Sequence, residues 1–227
     1  MATWTELLSL AVHELRTPAG VVGGYLRMLQ SDAADPLTER QLKMITEAEK
    51  SCARLVAIVA EMSELSKLEA GLIKMARQPV DLFPLVEDVA NSVHEPQDRG
   101  VRIEVRGAAN GATIEGDQAR LRQAFSSIFK AIVREQTAAC TVVVDRRLID
   151  RGAGSSSAVV VIAQGETVLT AYESTPAPFD EKRGGIGLSL PLARHVIEGH
   201  GGQITAPSGA AVRGAAIVTL PIPESSR

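Results

Sequence analysis

The string Ala11-Val12-His13-Glu14-Leu15-Arg16-Thr17-Pro18 concentrates the sharpest chemistry in the sequence. An imidazole changes charge near neutral pH and can serve as acid, base or nucleophile. The carboxylate of the adjoining Glu14 can orient such a ring and accept its proton. Thr17 stands at i+4, on the same helical face as His13, so no metal-binding histidine pair exists there. Pro18 removes the amide that would bond the Glu14 carbonyl. In an ordinary helix interior this costs roughly 3 kcal/mol, and it bends the helix just past His13.

The elements that must carry this string are helices. A heptad frame places Leu8, Leu15, Val22 and Leu29 at one repeating position, and Ala11, Pro18 and Tyr25 at its partner. His13 precedes the seam residue Leu15 by two positions and is therefore predicted to face water. A polar turn, Ser31-Asp32-Ala33-Ala34-Asp35-Pro36, follows. A second helix is predicted from about Pro36 to Ala70, with a stripe of Met44, Ala48, Cys52, Leu55, Val59, Met62 and Leu65 and a stop at Gly71. One such hairpin has an apolar seam with little to cover it. Two hairpins make a four-helix bundle, so a homodimer is predicted.

Beyond Gln78 the pattern changes. Asp81–Gln97 has helical periodicity, and Val101-Arg102-Ile103-Glu104-Val105 alternates as a strand with one wet face. Asp117 is a candidate N-cap for a helix through Glu135. Strands are predicted at Thr141–Asp145, Ala158–Ala163, Gln203–Ala206 and Ala215–Leu220, with a helix at Leu188–Glu198. Gly152–Ser157 is predicted as a flexible hairpin loop. The order suggests an α/β sandwich with helices on one face of a sheet. The two domains are predicted as residues 1–74 and 75–227, with the boundary falling near Lys74–Pro79.

Composition narrows the function. With 45% hydrophobic residues among 227, the chain can bury a core, although only 3% are aromatic, so Leu, Val, Ile and Ala must fill it. Against 27 acidic residues stand 24 basic ones, which argues against a nucleic-acid surface. Cys52 and Cys140 have no zinc spacing and are read as reduced core thiols. No apolar run approaches the ~18 residues of a membrane span, and no signal-peptide pattern is present, so no membrane contact is expected from this segment.

His13-Glu14-Leu15-Arg16-Thr17-Pro18 closely resembles the H-box of sensor histidine kinases. The resemblance continues through Pro79–Val86, Gly116–Ala124, Gly185-Ile186-Gly187-Leu188, His200–Ile204 and Gly214–Pro221. It implies a dimeric hairpin followed by a Bergerat-type (GHKL-like) ATP-binding sandwich. It also implies a cytoplasmic chain, as the cytoplasmic part of a larger sensor protein. His13 would take the γ-phosphoryl group of ATP with Glu14 as adjoining base, and then pass it to an aspartate on a response-regulator receiver domain. Glu14 and Thr17 together would position a water for the reverse, phosphatase reaction. Ser127, Lys130, Gly165, Arg183, Gly185 and Gly187 would line the nucleotide site, where the family uses Mg²⁺.

Two motifs depart from the family pattern. Ser127 and Ala131 stand where asparagines are expected, and Ala131 offers a hard cation no oxygen. Ala163 and Thr167 replace the aspartate and second glycine of the first glycine box. In the family that aspartate accepts from the adenine amino group, so base recognition loses its oxygen at Ala163 as metal binding does at Ala131, and no protein metal ligand is assigned. Weak nucleotide binding, nearly independent of Mg²⁺, is therefore expected, with Lys130 or Arg183 as substitute cations for phosphate. The alternative function is a phosphotransfer, phosphatase or scaffold module on the same fold. An ATPase or chaperone of that superfold is disfavoured by the H-box.

Overall fold

The computed structural model describes residues 4–31, 37–93, 100–152, 155–185, 187–209 and 214–223. The turn predicted at residues 32–36, the end of the helix predicted to Gln97, His94 and Ile186 lie outside them. The chain divides into two compact units, residues 1–73 and 74–227.

The first unit is a pair of long helices, α1 (Trp4–Ser31) and α2 (Glu39–Glu69). The second helix begins later than its periodicity suggested, because Thr38 caps it. Its hydroxyl accepts from the Gln41 amide, and the Gln41 side chain accepts from the Thr38 amide at 2.9 Å, a reciprocal capping box. At the other end Gly71 adopts φ +66°. The Gly71 and Leu72 amides donate back to the Leu68 and Lys67 carbonyls, closing a Schellman motif. Val12, Cys52 and Val59 are buried between the helices. Close approach is possible because Gly23 leaves room for the Cys52 thiol, which donates to the Ala19 carbonyl at 3.0 Å.

The predicted heptad seam of α1 is not the face that meets α2. Leu15, Val22 and Leu29 are about half exposed, and Tyr25 is 64% exposed. The stripe of α2 likewise divides: Cys52 and Val59 turn inward, while Met44 and Leu55 remain exposed. Val12, one residue before His13, takes the inward position instead.

The second unit contains a six-stranded sheet and a two-stranded one. In chain order its elements are β1 (Gln78–Asp81), α3 (Leu82–Ser92), β2 (Arg102–Gly107), β3 (Thr113–Gly116), α4 (Gln118–Glu135), β4 (Thr141–Gly152), β5 (Ser155–Gln164), α5 (Val168–Glu173), β6 (Pro176–Pro178), α6 (Ser189–Gly199), β7 (Gln203–Pro207) and β8 (Ala216–Ile222). The large sheet runs β2-β4-β5-β8-β7-β6, antiparallel throughout except for the parallel β2–β4 pair. β1 and β3 pair separately and antiparallel. The loop predicted at Gly152–Ser157 is instead mostly ladder, since β4 and β5 pair out to Gly152 and Ser155.

Helices α3, α4 and α6 cover one face of the large sheet. Phe83, Leu121, Phe125, Ile128, Phe129, Leu190 and Ile197 meet Val142, Val144, Val160, Ile162 and Val218 there. Each fully buried side chain of this size contributes about 1.5–3 kcal/mol. The opposite face carries a smaller cluster, in which Val143, Val159, Val161, Ala163 and Ala215 pack against Val168 and Ala171 of α5.

Candidate functional site

His13 lies on the solvent face of α1, with 79% of its side chain exposed, although the heptad seam that predicted this is itself exposed. The Glu14 carboxylate stands 3.4 Å from Nδ1. With Nδ1–H directed at Glu14, the Nε2 lone pair remains available to an electrophile arriving from solvent. Glu14 and Thr17 are also exposed. Pro18 lies inside the continuous helix α1, one turn past His13, where it denies the Glu14 carbonyl its usual amide partner. Among the described residues no three His, Cys, Asp or Glu side chains gather into a metal-binding group.

The second unit has a cleft of about 550 Å³ at the C-terminal end of α4, lined by Glu135, Gln136, Thr137, Gln164, Asp180 and Arg183. This volume suits a small-molecule ligand. Of the six nucleotide-site residues expected from sequence, only Arg183 lines it. Ser127 is half-buried and Lys130 exposed, both farther back along α4. Gly165 opens a 3₁₀ turn, Gly165–Thr167, just beyond Gln164. Gly185 ends another, Arg183–Gly185, and Gly187 is exposed with φ +75°.

The segment between the glycine boxes is folded down rather than left open. Phe179 is buried in the main core. Arg194 of α6 donates to the Phe179 carbonyl at 3.0 Å and pairs with Glu181 at 2.7 Å. Arg183 grips Glu135 of α4 through Nε and Nη2, both at 3.1 Å, and donates to the Ala215 carbonyl at 2.8 Å. Its guanidinium also lies 5.0 Å from the centre of the Phe179 ring. The substitute cation expected for phosphate is thus committed to protein partners, and its side chain is only 9% exposed.

Gly184, with φ +67°, sets its backbone against Ala131, whose side chain is fully buried. The position expected to face a metal faces the folded segment instead. Ala131 supplies no oxygen, so the residues present do not fit a protein-held Mg²⁺ at this position.

Ala163 also departs from expectation. It pairs with Val143 and packs on the sheet face away from α4. Its neighbour Gln164 pairs with Val142, whose side chain belongs to the helix-covered core, and Gln164 is the β5 residue that lines the cleft. Strand alternation explains the difference, because a step of one residue changes faces. Sequence reasoning missed both Gln136 and Gln164. The cleft-facing parity of β5 relative to Val160 and Ile162 could have found the second.

His200 fixes the base of the unit. Its Nδ1 donates to the Val196 carbonyl at 2.6 Å, and its Nε2 accepts from the Asp117 amide at 2.9 Å. The Asp117 carboxyl caps α4 through the Arg120 amide. Burial alone would raise its pKa, but the Arg120 and Ala76 amides and the Arg120 guanidinium more than offset this and hold the carboxyl below its usual range.

Residues 3–71 match the His Kinase A (phospho-acceptor) domain. Over 88% of its length the chain is 28% identical to the sensor protein GacS of Pseudomonas syringae pv. syringae, covering 23% of that protein. It is 31% identical to the sensor protein CutS of Streptomyces coelicolor over 93% of its length, covering 51% of that protein. The chain therefore spans a quarter to a half of these relatives. Among solved structures, full-length ShkA in complex with AMPPNP superposes with a TM-score of 0.71 at 22% identity, covering 97% of this chain and 46% of that one. The histidine kinase ThkA, in complex with the response regulator protein TrrA, gives 0.55 at 18% identity, covering 98% of this chain and 63% of that one. Residues 3–71 thus carry the phospho-acceptor domain, and the chain as a whole is similar in sequence to sensor histidine kinases and has the architecture of the histidine kinases it superposes on. No helix among the described residues is long and apolar enough to cross a membrane.

Proposed function

We propose that this chain is the phosphotransfer core of a two-component sensor, which takes the γ-phosphoryl group of ATP onto His13 and delivers it to an aspartate of a receiver domain. The observation that carries this reading is the exposed His13 ring with the Glu14 carboxylate 3.4 Å from Nδ1. Phosphoryl transfer asks a protein mainly for positioning and charge stabilisation. The Nε2 lone pair forms the N–P bond. The bond from the γ-phosphorus to the bridging oxygen breaks, and its electron pair leaves on ADP. Glu14 shares the Nδ1 proton as positive charge develops on the ring. In the second step a receiver carboxylate oxygen attacks phosphorus, and the N–P pair returns to Nε2.

The hairpin acts as a homodimer. Leu15, Val22, Leu29 and Leu55 are large apolar side chains that the hairpin leaves exposed, and an isologous bundle would bury such residues. Thr17, one turn from His13 on the same face, would hold a water for dephosphorylating the receiver.

The test is transfer. The chain is labelled with γ-phosphate-labelled ATP, freed of nucleotide, and mixed with a panel of receiver domains. A receiver should gain label as the chain loses it. Label that stays on the chain with the whole panel would reject the transfer step.

A further inference from the structure

A chain of amide polarity leads into the cleft. Gln136, only 6% exposed, donates from Nε2 to the Ile132 carbonyl at 2.8 Å. That bond fixes which end of its amide is oxygen, since a carbonyl cannot accept from another oxygen. Its Oε1 then has to accept, and it does so from the Gln164 Nε2 at 2.8 Å, with the Cys140 thiol at 3.6 Å on the same oxygen. Gln164 is thereby oriented in turn. Its nitrogen points to Gln136, and its Oε1 is left as an acceptor, with a second amide proton beside it.

Gln164 is exposed and lines the cleft. An oriented glutamine amide matches the N6/N7 edge of adenine, where the exocyclic amino group donates to the amide oxygen while the ring nitrogen accepts the amide proton. Guanine presenting its O6/N7 edge in the same pose sets a carbonyl oxygen against Oε1 and meets repulsion. A site that must leave a polar group unpaired against the wrong ligand discriminates strongly.

We propose that Gln164 is the base-reading residue of the nucleotide site and that Gln136 is the positioning residue that sets its amide. The inference rests on the nucleotide-dependent reading above and supplies its specificity. It also assigns to an amide, one residue along β5, the role that the motif would give to position 163.

The experiment titrates the full chain with ATP and with GTP by calorimetry, in wild type, Gln164→Leu and Gln136→Leu. The wild type should favour ATP by about tenfold or more. Gln164→Leu, at an exposed position, should lose most of that ratio by weakening ATP while leaving GTP within about twofold. Gln136→Leu should shift the ratio in the same direction, because the Gln164 amide can then rotate. A Gln164→Leu variant that melts like the wild type and keeps its ATP/GTP ratio overturns the proposal, as does a wild type that binds both equally. A wild type that binds neither nucleotide removes the kinase reading itself. Intact labelling of His13 from ATP together with an unchanged ratio removes only the role of Gln164.

Discussion

The backbone of Gly184 rests directly on Ala131: a methyl group added at Gly184 would stand 2.7 Å from the Ala131 Cα and 2.9 Å from its carbonyl oxygen. The two positions are complementary. A larger side chain at 131 needs the space that the folded segment fills, and a side chain at 184 would also be strained by its φ of +67°. Ala131→Asn and Gly184→Ala should each lift residues 179–185 off α4, at a cost of roughly 1–3 kcal/mol for overpacking. Hydrogen exchange read by peptide should show faster exchange in that segment for both variants. Unchanged exchange in both would mean that the contact does not hold it.

Ala163→Asp is a second discriminating substitution. From the motif alone it would restore an acceptor to the nucleotide site. In the structure it puts a carboxylate among Val143, Val161 and Ala171, on the far side of the sheet from the cleft. An unpaired buried charge is costly. The variant should lose several kcal/mol in a denaturant titration and gain no affinity for ATP. A stable variant with tighter ATP binding would show that Ala163 reaches the cleft after all.

These two positions mark where sequence reading ended. His13, Glu14 and Pro18 were legible because their spacing carries their geometry, and Asp117 because an N-cap is a local signal. The capping box of Thr38 and Gln41 was equally local and was overrun by the longer apolar stripe. β1 and β3 are short, and Pro79 breaks the alternation in the first. α5 is a six-residue helix whose buried side is only Val168 and Ala171, too little for a periodic signal. The contact between Gly184 and Ala131 joins distant parts of the chain, and no single position announces it. The face taken by Ala163 depends on the register of β5, which a motif alignment does not supply.

The hairpin should dimerise through the apolar residues it leaves exposed. Leu15 and Leu55 are 50% and 58% exposed. Replacing both with Asp places charges in the proposed dimer seam. The full chain should sediment as a dimer at micromolar concentration and the double variant as a monomer, with helix content by circular dichroism largely kept. A wild-type monomer under those conditions would contradict the bundle.

Phosphorylation of His13 is measured directly by site-resolved labelling. The chain is incubated with γ-phosphate-labelled ATP and magnesium, and the product is tested for acid lability and mapped by mass spectrometry. His200 serves as the control, since both its ring nitrogens are engaged with Val196 and Asp117. The wild type should carry an acid-labile phosphate on His13, lost in His13→Gln and retained in His200→Gln. No label on His13, or a label that survives His13→Gln, would contradict it.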